Sequence, residues 1–259
     1  MTNLELYHQN RMKYVPVDSM LLLLESKRGL TAKDMSTKYG WSRHSVYDYY
    51  RKHGHPQTAL QETQLTDVQK DIVIGSLLGD GSIRPVGIFV IGHGVKQREY
   101  LEWKVNQMSP FMSKIKKRDT LDNRSGRRDI GYYSYSHTLE VFREYRKLFY
   151  PDHKKIFPNL ESISPLALAI WYMDDGSYAI KSGRSCLCSQ SFTREENQMA
   201  VDLLQKQYGI NAKIHKAGVG QFRIGMNRDA SNTLFKVIEP YMHYSMLYKM
   251  NFKEVQNGF

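Results

Sequence analysis

Two short segments of the chain end in the same pair of residues. Residues 73–81 read Val-Ile-Gly-Ser-Leu-Leu-Gly-Asp-Gly and residues 168–176 read Leu-Ala-Ile-Trp-Tyr-Met-Asp-Asp-Gly. Each apolar stretch predicts a helix, with Asp80 or Asp175 at its C-terminal end. A carboxylate there faces the negative end of the helix dipole, which costs roughly 0.3–1 kcal/mol. Because the fold gains no stability from placing an acid there twice, the repeat indicates chemistry.

The chemistry that fits this pair is divalent-metal binding. If the two helices pack side by side, the carboxylates of Asp80 and Asp175 come together, and both stay ionised only with a cation between them. The alternative is that both Asp-Gly pairs are ordinary helix ends followed by glycine. That reading explains the glycines but leaves two acids at the unfavourable end.

The elements that would position the acids form two similar series. Thr66-Asp67-Val68-Gln69 is a capping box before the first apolar helix, and Ser164-Pro165 starts the second. The sequence predicts, in the first series, a strand at 87–91, a helix at about 98–112, strands at 114–121 and 130–137, and a helix at 139–149. In the second series it predicts two strands flanking Gly183, a helix from Thr193 to Tyr208, strands at 211–216 and 220–226, and a helix at about 229–239. Each half reads helix, hairpin, helix, hairpin, helix, an α+β pattern.

The strands alternate between apolar and basic residues, which predicts sheets with one buried and one basic face. The net charge is +11, with 37 Lys and Arg residues and 18 tyrosines distributed through the chain, and this favours a polyanionic partner. A merely solvated basic surface is the alternative reading of the charge. The hairpin residues expected to face DNA are Lys116, Arg118, Lys181, Arg184, Lys213, His215 and Arg223.

The pattern of residues 15–54 predicts a separate helical unit, and residues 55–65 are expected to form a polar linker after it. A helix over Leu21–Leu24, a second helix ended by Gly40, and a third capped by Ser42 resemble a helix-turn-helix. The N-terminal part of its last helix would meet base edges, so Arg43, His44 and Tyr47 are candidate DNA contacts, with Arg51 one turn further on. Small three-helix units without a DNA partner can show the same pattern.

The remaining composition excludes several classes of protein. Mean hydropathy is −0.55, and no apolar run approaches the ~20 residues of a membrane span. The first residues lack the pattern of a secretory signal, so we expect an intracellular protein without a membrane partner. The two cysteines, Cys186 and Cys188, have no second Cys or His pair at ligand spacing and are expected to be reduced core thiols.

The paired Asp-Gly helices resemble the LAGLIDADG homing endonucleases, in particular their single-chain subgroup with two motifs, typified by an intron-encoded yeast mitochondrial enzyme. Three further segments match that subgroup: Lys-Lys-Ile-Phe-Pro-Asn-Leu at 154–160, Ser-Gln-Ser-Phe-Thr at 189–193 and Tyr-Ser-Met-Leu-Tyr-Lys-Met at 244–250. The resemblance covers about residues 66–253, with halves at about 66–150 and 151–253. It does not include the helix-turn-helix.

The resemblance implies a pseudo-two-fold fold of two αββαββα halves with saddle-shaped antiparallel sheets. It implies that Asp80 and Asp175 bind Mg²⁺, for which Mn²⁺ can substitute, that Lys155 and Lys249 lie near the two active sites, and that Gln190 lies on the DNA side. Gly75 and Gly79 match small positions of the helix interface, whereas Ile170 and Trp171 make the second helix bulkier than the family pattern. Asp174, beside Asp175, is the rival metal ligand.

The function expected from these features is site-specific cleavage of double-stranded DNA at a long target by a monomer. Two other classes use the same fold: a DNA-binding regulator that no longer cuts, and an RNA maturase. The retained Asp80, Asp175, Lys155 and Lys249 disfavour the regulator, because acids beside phosphates do not help a protein that only binds. The helix-turn-helix disfavours the maturase, because its geometry fits the major groove of B-form DNA better than that of RNA.

Overall fold

The computed structural model of the protein describes residues 17–18, 21–22, 24–25, 30–53, 64–121, 126 and 128–250. Leu23, most of the predicted linker, the turn at 123–125 and the predicted domain's last residues at 251–253 lie outside the described residues, as do the side chains of residues 50–53. Among the described residues, no helix is both long and apolar enough to cross a membrane.

The N-terminal part contains helices α1 (Ala32–Tyr39) and α2 (Arg43–His53). Thr31 forms a capping box with Asp34 at the start of α1, and Gly40 ends that helix with a φ of 70°. The Ser42 hydroxyl accepts a hydrogen bond from the Ser45 amide at 2.9 Å, as expected of an N-cap. These helices enclose a small apolar core of their own, formed by Leu22, Ala32, Met35, Trp41 and Val46.

The rest of the described chain forms two αββαββα halves, which confirms the predicted fold class. The first half consists of α3 (Asp67–Leu78), β1 (Ser82–Arg84), β2 (Ile88–Gly94), α4 (Arg98–Gln107), β3 (Lys116–Leu121), β4 (Arg128–Tyr135) and α5 (Glu140–Phe149). The second consists of α6 (Pro165–Asp175), β5 (Gly176–Ala179), β6 (Arg184–Leu187), α7 (Arg194–Tyr208), β7 (Lys213–Gly218), β8 (Gln221–Met226) and α8 (Arg228–Ile238). Each half has one antiparallel sheet, ordered β1-β2-β4-β3 and β5-β6-β8-β7.

Helices α3 and α6 pack against each other at the centre of the main apolar core. A Cβ atom at Gly75 would lie 2.5 Å from the carbonyl oxygen of Ala167 and 2.7 Å from Cβ of Ile170. At Gly79 it would lie 2.5 Å from Cβ of Asp174. Gly75 within α3 and Gly79 directly after it therefore accommodate the bulkier side chains of α6, and this explains how Ile170 fits where the family pattern has a small residue.

Some predicted boundaries were wrong, for local reasons. The helix expected to reach residue 112 ends at Gln107, because Pro110 cannot continue a helix and disfavours helical backbone at the residue before it. A three-residue strand, β1, was not predicted after Gly81, since three residues are too few to show alternation. Lys181, predicted with the hairpin strands, lies in the turn between β5 and β6.

Gly75→Ala is expected to lower the free energy of unfolding by about 2 kcal/mol, because the added methyl group meets backbone that cannot move aside. Gly94→Ala is the matched control: apart from its chain neighbours, no atom of the described residues lies within 4 Å of its added Cβ, so the change should stay within about 0.5 kcal/mol. Urea unfolding followed by circular dichroism measures both. Equal effects of the two substitutions would contradict the close helix contact.

Candidate functional site

Asp80 and Asp175 stand at the adjacent C-terminal ends of α3 and α6. The Asp80 side chain is 48% exposed, and Asp175 is partly buried. Within the described part of the chain, neither carboxylate accepts a hydrogen bond. The predicted helix packing thus brings the two acids to one place and leaves their oxygens available.

Burial and mutual repulsion make these acids hard to ionise. Burial raises the pKa of Asp175 to about 7, the charges of Asp80 and Asp174 act in the same direction, and Lys155 and Lys249 oppose them. The pKa of Asp80 is raised by burial and then by Asp174, with Lys104 the largest opposing charge. A cation at this place would offset both effects.

Lys155 and Lys249 neutralise the two helix ends through the backbone. The Lys155 ammonium donates to the carbonyl oxygens of Gly79 and Gly81, at 2.6 and 2.9 Å. The Lys249 ammonium donates to those of Met173 and Asp174, at 2.6 and 2.9 Å. Burial lowers the pKa of each lysine, and the nearby carboxylates oppose that shift. These cations balance the negative helix ends at which the acids stand.

Asp174 points away from Asp175 and into the interface between the halves. Its fully buried carboxylate accepts hydrogen bonds from the Lys104 ammonium at 2.9 and 3.1 Å, and from the Tyr100 hydroxyl at 2.9 Å. Those donors occupy the oxygens that a metal ion would need. Asp175, which has no such partners in the described chain, is therefore the better-placed ligand of the adjacent pair.

The sequence reasoning missed this buried group, formed by His93, Tyr100 and Lys104. The side chains of Lys104 and His93 are 0% and 1% exposed. Helical spacing offered a signal, since Tyr100, Lys104 and Met108 repeat every four residues and so share one face of the predicted helix. A lysine on the apolar face of a helix indicates a buried acid partner. Which acid it meets depends on how the halves pack.

The two aspartates suit a hard divalent cation. The described residues contain no group of three or more His, Cys, Asp and Glu side chains that could enclose a metal ion. Mg²⁺ fits such an incomplete set, because it is commonly held by one or two carboxylates and completes its coordination with water and substrate phosphates. Asp80 also borders an open groove on the first sheet, so a phosphate could reach the same cation.

Each sheet has a groove on the face that the helices leave open. The first is bordered by Asp80, Arg84, His93, Arg118, Tyr132 and Tyr133, and the second by Ser177, Arg184, Cys186, Lys213, His215 and Arg223. Lys116 and Lys181 are exposed, and Gln190 is half-buried. Cys186 and Cys188 form no disulfide, but the expectation that they lie in the core was wrong, because both are half-buried. Cys186 borders the second groove.

The hairpin cations differ in their partners. Arg118 pairs with Asp129 at 2.8 Å on the neighbouring strand, and Arg128 pairs with Asp119 at 2.7 Å. The second-sheet segments from Gly176 to Thr193 and from Gly209 to Asn227 contain no acidic residue, so Arg184, Lys213 and Arg223 have no neighbour of opposite charge within them. The second groove therefore offers unneutralised positive charge to a polyanion.

The N-terminal candidates lie on α2. Arg43, His44 and Tyr47 are exposed, and the His44 imidazole lies 3.1 Å from the Asp48 carboxylate. Arg51 belongs to the same helix, but its side chain lies outside the described residues. This exposure is compatible with a DNA contact and with a plain solvated helix.

Comparisons with known proteins agree with this geometry. The model of the LAGLIDADG DNA endonuclease family matches residues 70–234. The chain is 32% identical over 197 residues to the cytochrome b mRNA maturase bI2 of Debaryomyces hansenii, covering 70% of this chain and 72% of that protein. It is 31% identical over 212 residues to the protein RecA of Mycobacterium shimoidei, covering 74% and 48%. The chain thus spans about half the length of that RecA protein.

Among solved structures, the fold is similar to that of the homing endonuclease I-WcaI bound to its DNA recognition sequence. The TM-score is 0.70 at 23% identity, over 86% of this chain and 99% of that chain. This similarity supports the arrangement of the two halves.

The raised pKa of Asp175 predicts that Asp175→Asn stabilises the metal-free protein at pH 8 but hardly at pH 4. The folded protein holds a proton on Asp175 up to a pKa of about 7, whereas an unfolded aspartate loses it near 3.9. Stability of the wild type therefore falls as pH rises between these values. The gain at pH 8 should be on the order of 4 kcal/mol. Urea unfolding at both pH values measures it, with Asp152→Asn as the exposed control, and a gain independent of pH would contradict the shift.

Proposed function

The chain belongs to the LAGLIDADG DNA endonuclease family, and on that premise we propose that it cleaves both strands of a specific DNA duplex with the help of a divalent cation. The observation that carries the proposal is the meeting of Asp80 and Asp175 at two lysine-neutralised helix ends beside an open groove. A binding surface for DNA has no need of two acids that repel both each other and phosphate.

Each part of the site meets one requirement of phosphodiester hydrolysis. Asp80 and Asp175 would hold Mg²⁺, or Mn²⁺ in its place, and the bound cation neutralises phosphate charge and lowers the pKa of an attacking water. Lys155 and Lys249, fixed by two carbonyl oxygens each, hold positive charge near the pentavalent transition state. No side-chain nucleophile is required. Asp80 with Lys155 would form one cleavage centre and Asp175 with Lys249 the other, and each centre would cut one strand.

The two sheets would bind the duplex on their open faces, with one half on each side of the cleavage site. The candidate contacts are Lys116, Arg118, Lys181, Arg184, Gln190, Lys213, His215 and Arg223. One chain carries both halves, so we propose that it acts as a monomer, inside the cell where its DNA substrate lies. The N-terminal helices would extend recognition through Arg43, His44, Tyr47 and Arg51.

RNA maturation is the second candidate function, because one relative is named a cytochrome b mRNA maturase. A maturase would use the basic sheet faces to hold structured RNA instead of a B-form duplex. Competition between a target DNA duplex and a structured intron RNA for the full-length protein separates the two. Preferential retention of the duplex favours the endonuclease.

Asp80→Asn and Asp175→Asn are each expected to reduce Mg²⁺-dependent cleavage by about 100-fold or more, since each removes a metal ligand. DNA affinity without Mg²⁺ should stay within about threefold. The substrate is the duplex made by joining the DNA flanks of the gene, or a site selected from a randomised library. Asp174→Asn should instead lower the free energy of unfolding by about 3 kcal/mol, because it leaves Lys104 unpaired. Undiminished cleavage in both single variants would refute the assignment.

Arg223→Ala should weaken DNA binding and reduce the slope of log affinity against log salt by about one, the value for one lost phosphate contact. Arg43→Ala should do the same if the N-terminal helices touch the duplex. Lys147→Ala is the control, because Lys147 is an exposed cation that pairs with Glu144 on α5. Fluorescence anisotropy from 50 to 300 mM salt gives the slopes, and a Lys147 effect equal to that of Arg223 would reject a specific sheet contact.

A further inference from the structure

His93, the last residue but one of β2, has a buried polar side chain that is 1% exposed. Neither Nδ1 nor Nε2 makes a hydrogen bond of good geometry to the described residues, although the Gln97 side chain lies near enough to act on the ring. Leaving a buried polar group unsatisfied costs on the order of 1–3 kcal/mol. Because His93 borders the groove in spite of this cost, we expect its ring to gain a hydrogen-bond partner when the site binds its cation.

The ring lies between the acids of the two halves. Nδ1 is 3.8 Å from Oδ2 of Asp80, and Nε2 is 3.6 Å from Oδ1 of Asp174. Both distances exceed a hydrogen bond. Asp174 is fixed by Lys104 and Tyr100, and the His93 ring packs on Tyr100 with centroids 5.0 Å apart. Of the two acids beside the ring, Asp80 is the one that can move, since its half-exposed carboxylate can turn toward Nδ1.

We propose that His93 is a positioning residue of the Asp80 centre: its Nδ1–H donates to Oδ2 of Asp80 and leaves Oδ1 turned toward the divalent cation. This inference rests on the proposed function. An imidazole with one N–H can serve only one of the two acids, and Asp174 already accepts three donor contacts. Hydrogen bonds of this kind fix the orientation of metal-binding carboxylates, and their loss typically costs 10–100-fold in metal affinity.

The second half lacks this device, so the two centres are unequal. Ser82 pairs with Val90 in the first sheet and Ser177 pairs with Cys186 in the second. Because Ser82 and Ser177 both stand two residues after their aspartates, this register makes Ser189 the counterpart of His93. The Ser189 hydroxyl donates to the side-chain oxygen of Asn197. Asp175 therefore has no imidazole at the position that corresponds to His93.

Three substitutions separate positioning from packing. The side-chain nitrogen of asparagine lies nearly where Nδ1 lies in histidine, and that of glutamine lies nearly where Nε2 lies. His93→Asn should therefore retain the hydrogen bond to Asp80, whereas His93→Gln should lose it. His93→Phe retains the ring and removes both nitrogens. If His93 only packs, the phenylalanine variant should perform best of the three.

Mn²⁺ binding to the full-length protein without DNA, followed by electron paramagnetic resonance of free Mn²⁺, gives a readout independent of cleavage. We expect His93→Phe and His93→Gln to weaken binding at one site about tenfold. His93→Asn should stay within about threefold, and Ser189→Ala should match the wild type. The Mg²⁺ concentration for half-maximal cleavage of the target duplex should shift in parallel. Thermal denaturation should show His93→Phe at least as stable as the wild type, because it removes unsatisfied buried atoms.

Unchanged Mn²⁺ binding in His93→Phe would overturn the proposal, as would equal losses in His93→Asn and His93→Phe when both are folded. An equal loss in Ser189→Ala would show that the effect is not specific to Asp80. If the wild type binds Mn²⁺ but leaves the duplex uncut, the proposed nuclease function fails, and the Mn²⁺ titrations still decide the role of His93.

Discussion

Helices α3 and α6 approach so closely that a Cβ atom at Gly75 would lie 2.5 Å from a carbonyl oxygen of Ala167. The rest of the site depends on this contact. It brings the ends of both helices together, and with them Asp80 and Asp175. It also places Asp174 against Gly79, where any side chain in place of the glycine would collide with Asp174. Small residues on one helix thus allow large ones on the other. The two halves can therefore have the same order of elements although the sequences of α3 and α6 differ.

The helix contact brings together negative charge that the fold must balance. Two helix dipoles end at this point, and Asp80, Asp174 and Asp175 add three carboxylates. The fold compensates with three lysines: one at each helix end and one at the buried carboxylate of Asp174. Lys155 and Lys249 bind the carbonyl oxygens of the helix ends, and Lys104 binds Asp174. The carboxylates of Asp80 and Asp175 receive no such partner from the described residues, and this leaves them able to bind an external cation.

The Lys104–Asp174 pair also joins the two halves, because Lys104 comes from α4 and Asp174 from α6. A buried ion pair of this kind is costly to break, since removal of one partner leaves the other charged in a dry interior. Any placement of the halves that separates Lys104 from Asp174 therefore carries this cost. The groove of the first sheet lies beside this interface, because Asp80 and His93 border it. The contacts that position the proposed metal ligands thus also position the two basic sheets relative to each other.

Local patterns in the sequence were enough to predict most of the helices and strands, the duplication and the paired acids. Capping boxes at Thr66 and Thr193, glycines after the helices and period-two strands are local signals, and they predicted the order of elements in both halves except for the short strand β1. Only the tertiary structure distinguished Asp174 from Asp175 and revealed His93, Tyr100 and Lys104 beside them. The physical reason is that a side chain's role at a helix end depends on which groups of the other half it faces. Lys104 in one half and Asp174 in the other are 70 residues apart in the sequence, so no local pattern predicts their contact.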